Sequence, residues 1–148
     1  MKVNKISKPR WKTSDTCVYN CSYHFIWTTK FRRKILNVEM QETLKNLITE
    51  KCDAMGWEIK ALEVCEEHIH LFISTGPNCA PQFIIGQIKG YTSRIIRETY
   101  PILKQKLPTL WTRSYYVDTV GCLREETIKK YVEHQKRTSE FMCNSSKV

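Results

Sequence analysis

From residue 17 to residue 137 the hydrophobic pattern changes period in a set order, and that order restricts the chain to very few folds. Residues 17–28 (CVYNCSYHFIWT) alternate, with Tyr19, Cys21, Tyr23, Phe25 and Trp27 on one face and Asn20, Ser22 and His24 on the other, which predicts a strand. Asn37 is placed as an N-cap with Glu39 in the first turn. Leu44, Leu47, Ile48, Cys52 and Met55 then recur at helical spacing up to a stop at Gly56. Residues 57–65 and 68–75 predict two strands joined by a tight Glu66-Glu67 connection. In the second of them Ile69, Leu71 and Ile73 point one way and His68 and His70 the other. Residues 81–99 predict a second helix, with an apolar stripe of Ile84, Ile88, Tyr91 and Ile95 and a stop at Pro101. Gly86 and Gly90 inside it call for close packing or an approaching ligand. Residues 110–120 predict a fourth strand, and residues 124–137 a final helix.

The resulting fold class is α+β: a ferredoxin-like or RRM-like β-α-β-β-α-β arrangement with a four-stranded antiparallel sheet, followed by a C-terminal helix. Two helices cover one sheet face, and the other, carrying His68 and His70, is expected to be open. The expected organisation is a basic arm at 1–16, poorly ordered, one domain at 17–137 and a tail at 138–148.

Charge narrows the function. The net +9 is segregated: residues 1–34 hold nine Lys/Arg against Asp15, residues 35–85 are net acidic, and residues 86–113 hold six basic residues against Glu98. Such segregation suits a polyanion. The seven cysteines are an odd number with no C-x-x-C spacing, so neither a zinc site nor a disulfide framework is expected. No apolar run is long enough for a membrane span, and the N-terminus lacks the apolar stretch of a signal peptide. The expected location is cytoplasmic, in a prokaryote, at the nucleoid.

His68-Ile69-His70 places two imidazoles on one side of a strand, close enough to chelate one ion, although H-x-H alone is a weak signal and more often marks ordinary surface or hydrogen-bonded histidines. Tyr131 and Gln135 sit a turn apart on one helix face. They offer a nucleophile and a carbonyl oxygen, or else Tyr131 packs in a stripe with Ile128 and Val132. No G-x-x-x-x-G-K-[ST] phosphate loop occurs.

Four ordered blocks, EEHIHLFIS, IIGQIKGYTSRIIRE, LWTRSYYVDTVG and EETIKKYVEHQ, resemble those of the HUH single-tyrosine transposases of the insertion sequence 200/605 type. NCSYHFIWTTKFRRKIL resembles their opening strand and basic turn. The resemblance implies that His68 and His70 are metal ligands, that Gln135 completes the metal site and that Tyr131 is the catalytic tyrosine. His134 is a second possible ligand beside Gln135, His24 a possible neighbour of the metal site, and Glu66 and Glu67 a solvated turn. The implied ion is Mg²⁺ or Mn²⁺. The implied substrate is single-stranded DNA with hairpin transposon ends, cleaved and rejoined through a 5′-phosphotyrosine. The implied assembly is a homodimer whose active sites can be composite, with the tyrosine helix supplied in trans. Gly121 is a candidate hinge for that helix.

Lys30, Arg32, Arg33, Lys34, Lys89, Arg94 and Arg97 are candidate DNA contacts, and Phe31, Tyr91, Trp111, Tyr115 and Tyr116 candidate stacking aromatics. The alternatives are a non-catalytic nucleic-acid-binding RRM-like module and a related enzyme that processes repetitive palindromic elements.

Overall fold

The structure, a computed structural model, describes residues 11–119. The predicted final helix, with Tyr131, His134 and Gln135, the hinge candidate Gly121 and the tail lie outside the described residues, as does most of the basic arm.

The element order is β1 (Lys12–Thr13), β2 (Val18–Tyr19), β3 (Cys21–Thr28), a short 3₁₀ turn (Lys30–Arg32), α1 (Val38–Met55), β4 (Glu58–Val64), β5 (His68–Thr75), α2 (Pro81–Thr99), α3 (Ile102–Lys106) and β6 (Tyr116–Thr119). The main sheet has the order β4-β5-β3-β6, and each neighbouring pair is antiparallel. Counting only these four strands, that is second, third, first, fourth, as the ferredoxin-like expectation requires. β1 and β2 form a small antiparallel pair of their own. Part of the segment expected to be a disordered arm is therefore folded, and Lys12 Nζ lies 2.9 Å from Glu58 Oε2 on β4.

Local chemistry sets the helix ends. The Asn37 side chain accepts a hydrogen bond from the Met40 amide at 2.9 Å, the N-cap expected from the sequence. α1 ends at Gly56, whose φ of 74° is the left-handed conformation that glycine adopts without a Cβ penalty. α2 begins with Pro81 in its first turn, where a missing amide proton costs nothing. It ends at Thr99, and Pro101 starts the short α3, which the sequence pattern did not announce.

α1 and α2 pack on one sheet face. Leu44, Ile48 and Cys52 from α1 and Ile84, Ile85, Ile88 and Ile96 from α2 enclose Phe25, Trp27, Ile69, Leu71 and Ile73. The buried stripe of α2 departs from the expected one, because Thr92 and Ile96 are buried where Tyr91 and Ile95 were expected. Thr92 can be buried because its hydroxyl donates to the Ile88 carbonyl at 2.7 Å and accepts from Trp111 Nε1 at 3.1 Å. Gly86 and Gly90 are exposed, and a Cβ on either would meet nothing within 4 Å, so packing inside this chain does not account for them. The fourth strand is shorter than the expected 110–120, because after a single bridge between Thr29 and Trp111 regular pairing resumes only at Tyr116.

Among the described residues no helix is long and apolar enough to cross a membrane.

Candidate active site

Strand register decides which side chains share the second face of the sheet. His24 pairs with Phe72, Ile26 with His70 and Thr28 with His68 across β3 and β5. On the flanking strands Glu63 pairs with His70, and Asp118 with His24. Side chains alternate along a strand, so Phe25, Trp27, Ile69 and Leu71 go to the helices while His24, His68, His70, Glu63 and Asp118 go to the other side. One aromatic cluster results. The His68 and His70 ring centroids are 5.0 Å apart at 84°, and His24 lies flat on Phe72 at 4.2 Å and 5°.

This face is not open at its centre, contrary to the sequence expectation. His24, His70 and His68 are 2%, 3% and 7% exposed, and Phe72 and Ser74 are buried as well. Stacking among the rings supplies part of the cover.

Burial sets the protonation of the three rings. It pushes His70 down to about 4, and the His68 and His24 rings beside it push the same way. His24 is likewise lowered to about 4 by burial, against the opposing pull of Asp118. His68 is lowered by burial, against Glu67. All three imidazoles are therefore neutral near pH 7, the state in which a ring nitrogen offers a lone pair. Glu67 Oε1 stands 3.8 Å from His68 Nδ1, and with that ring neutral the contact is not an ion pair.

Hydrogen bonding leaves three ring nitrogens over. His70 Nδ1 is 3.4 Å from His24 Nε2. His70 Nε2 and both nitrogens of His68 are buried and have no hydrogen-bond partner. Buried polar atoms are nearly always satisfied, so three orphans on two adjacent rings need an explanation. A divalent cation supplies one. If His70 donates its Nδ1 proton to His24, its Nε2 lone pair is free, which is the tautomer a metal-binding histidine takes. The residues fit half of a metal site. No cluster of three or more His, Cys, Asp or Glu able to hold a metal ion occurs among the described residues, and Gln135 lies outside them.

The basic candidates divide between two places. Lys30, Arg32, Arg33 and Lys34 lie in the turn that leaves β3 one residue after Thr28, the partner of His68. Arg32, Arg33 and Lys34 are exposed. Lys89, Arg94 and Arg97 are on α2, on the helical side of the sheet. Lys89 is engaged: its ammonium donates to the carbonyls of Thr112, Arg113 and Ser114 at 2.6, 3.3 and 3.2 Å, and burial lowers its pKa. Arg97 donates from one terminal nitrogen to the carbonyls of Leu107 and Pro108. Both side chains fasten the 107–114 connection to α2. Arg94 faces a cleft of about 340 Å³ with Arg97, Lys104 and Glu98. Of the aromatic candidates, Trp111 belongs to the core and Tyr115 packs against it, whereas Phe31 and Tyr116 are exposed.

Glu67 was expected to be a solvated turn residue. Instead its carbonyl accepts from the Thr29 amide at 2.8 Å, and its carboxylate stands between Arg32 at 3.7 Å and His68. Adjacency to the histidine pair was the available signal. Asp118 was missed because only the β3–β6 register brings it beside His24.

Comparisons with known proteins bear on the family and the fold. A family model described as "Transposase IS200 like" matches residues 17–135. The ISDra2 transposase TnpA of Deinococcus radiodurans is 35% identical over 120 residues, 80% of this chain and 86% of its own. The transposase for insertion sequence element IS200 of Salmonella typhimurium is 31% identical over 119 residues, 79% of this chain and 78% of its own. A crystal structure from Deinococcus radiodurans, described as that of a transposase, superposes with a TM-score of 0.71 at 32% identity, covering 84% of this chain and 97% of that one. A REP-associated tyrosine transposase bound to a REP hairpin shares the fold, with a TM-score of 0.54 at 17% identity over 82% of this chain and 68% of its own.

Proposed function

The chain belongs to the family of IS200-like transposases, enzymes of DNA cleavage and transfer, and from that premise we propose that it cuts and rejoins single-stranded DNA through a covalent tyrosine intermediate with a divalent cation, Mg²⁺ or Mn²⁺. The observation that carries the reading is the pair of neutral, buried imidazoles on β5 with three unpartnered ring nitrogens. His68 and His70 hold the ion, and Gln135 completes its protein ligands. The bound ion supplies Lewis-acid polarisation of the scissile phosphate and stabilises the charge that builds up on its oxygens.

The remaining work falls to the chain's own groups. Tyr131 Oη attacks the phosphorus and loses its proton. The bond from phosphorus to the 3′ oxygen breaks, and that oxygen leaves as a 3′-hydroxyl. The 5′ phosphate remains on the tyrosine, so the phosphodiester energy is kept, and attack by another 3′-hydroxyl reverses the step without a nucleotide triphosphate. His24 fixes the orientation and tautomer of His70 by accepting, at Nε2, a hydrogen bond from the Nδ1–H of that ring. The turn from Lys30 to Lys34 binds backbone phosphates beside the histidines and so positions the strand without reading its sequence. The proposed partners are DNA whose transposon ends fold into hairpins and a second copy of the chain, whose tyrosine helix can complete the site in trans.

The test is incubation with labelled single-stranded transposon ends and Mn²⁺, followed by a denaturing gel. The unaltered protein is expected to give a protein–DNA adduct. Tyr131→Phe and His68→Ala are expected to give none while still retarding the DNA on a native gel. An adduct surviving in Tyr131→Phe would remove the tyrosine from the reaction, and binding without any adduct would make the chain a non-catalytic module.

A further inference from the structure

The turn that leaves β3 has a backbone that its sequence does not favour. Phe31 has φ 59° and Arg32 φ 49°, two consecutive side-chain-bearing residues in the left-handed region. A Cβ there crowds the following carbonyl, and glycine or asparagine is the ordinary solution. Such strain persists only where the surroundings over-determine it.

Here they do. The Thr29 amide donates to the Glu67 carbonyl and the Lys30 amide to the Leu110 carbonyl, both at 2.8 Å. The Thr29 hydroxyl, fully buried, donates to the Arg33 carbonyl at 2.7 Å. The Leu36 amide donates to the Glu66 carbonyl at 3.1 Å. The turn is thus clamped to the residues that precede His68 and to Leu110 in the 107–114 connection.

The product of this clamping is an aromatic ring held away from the body of the protein. Phe31 is 68% exposed and contributes nothing to the core. The Lys30 ammonium lies 5.2 Å from its ring centroid. Arg32 reaches Glu67, which in turn stands beside His68. A turn needing only to reverse the chain gains nothing from an exposed phenyl in a strained backbone. A flat apolar face between cations, next to a phosphate-binding position, matches the two faces of a nucleotide, its π-surface and its phosphate.

We propose that Phe31 is a stacking platform for one unpaired nucleobase flanking the phosphate bound at His68 and His70. The assignment rests on the single-strand reading above. It adds the residue that holds a base while Arg32, Arg33 and Lys34 hold the backbone. Because stacking is tolerant of base identity, Phe31 fixes where the strand lies and leaves its sequence to other contacts.

The experiment uses the full chain and an oligothymidylate strand carrying a single 2-aminopurine, moved one position at a time, with a duplex of the same length as control. The unaltered protein is expected to quench the probe in the single strand and not in the duplex. Phe31→Gly, which relieves the backbone, is expected to melt no lower than the parent, to lose that quenching and to bind the single strand about tenfold more weakly. Phe31→Tyr is expected to restore both. Phe31→Gly binding and quenching like the parent would overturn the proposal. A change in sedimentation without a change in quenching would also overturn it, by making Phe31 a contact between copies. An unaltered protein with no affinity for the single strand would defeat the single-strand reading itself, and this assignment with it.

Discussion

His24 shows how much one residue's surroundings decide. As an alternating polar residue of a strand it has an ordinary pKa of 6.5, yet burial against Phe72 and His70 brings it to about 4, and His70 shows the same depression. The consequence for stability follows from proton counts. As pH falls from about 6.5 to about 4, these rings become protonated in the unfolded chain but stay neutral in the folded one. The unfolded state then binds more protons, so stability is complete above that window and is lost within it. His24→Phe keeps an aromatic ring on Phe72 and removes one of the two groups. Urea unfolding midpoints at several pH values should show the variant losing less stability on acidification, by roughly 2–3 kcal/mol. Parallel curves for variant and parent would mean that the folded ring titrates normally.

The elements divide by whether their determinants are local. α1 was legible because its determinants lie at its own ends: the Asn37 cap, the Gly56 stop and a stripe of apolar residues between them. β5 was legible to the residue, since Ile69, Leu71 and Ile73 fix its register. The pairing of β1 with β2, the short α3 and the early break before β6 were not legible, because none of them has a period long enough to read. The same limit applied to charge. In sequence Lys89 is one more basic residue on a helix, and only the fold brings the carbonyls of Thr112, Arg113 and Ser114 under its ammonium. Lys89 should accordingly matter to folding: Lys89→Met leaves these carbonyls without their donor and is expected to cost about 1–3 kcal/mol in urea unfolding. The exposed Arg94→Met is expected to stay within about 0.5 kcal/mol of the parent. Equal midpoints for the two variants would show that the Lys89 contacts contribute nothing net.

Across the whole molecule the segregated charge becomes a statement about direction. Among the described residues the segregated basic side chains fall on the Lys30–Lys34 turn, next to the histidine face, and on the α2 group on the helical side, from which Lys89 and Arg97 are withdrawn by their bonds to carbonyls. A single strand with one phosphate at the histidines has the turn within reach and α2 on the far side of the sheet. Each phosphate neutralised releases counterions, so the slope of log K against log salt counts the contacts, at about 0.7 per phosphate for single strands. Replacing Arg32, Arg33 and Lys34 together by Gln should lower that slope by about 2, read by anisotropy of a short labelled oligothymidylate between ~50 and ~200 mM salt. Replacing Arg94 and Lys104 by Gln should leave the slope nearly unchanged, although it too removes positive charge from the chain as a whole. Similar losses in both variants would mean that the strand follows the net field of the protein and not a path beside the histidines, because only a path makes position count for more than total charge.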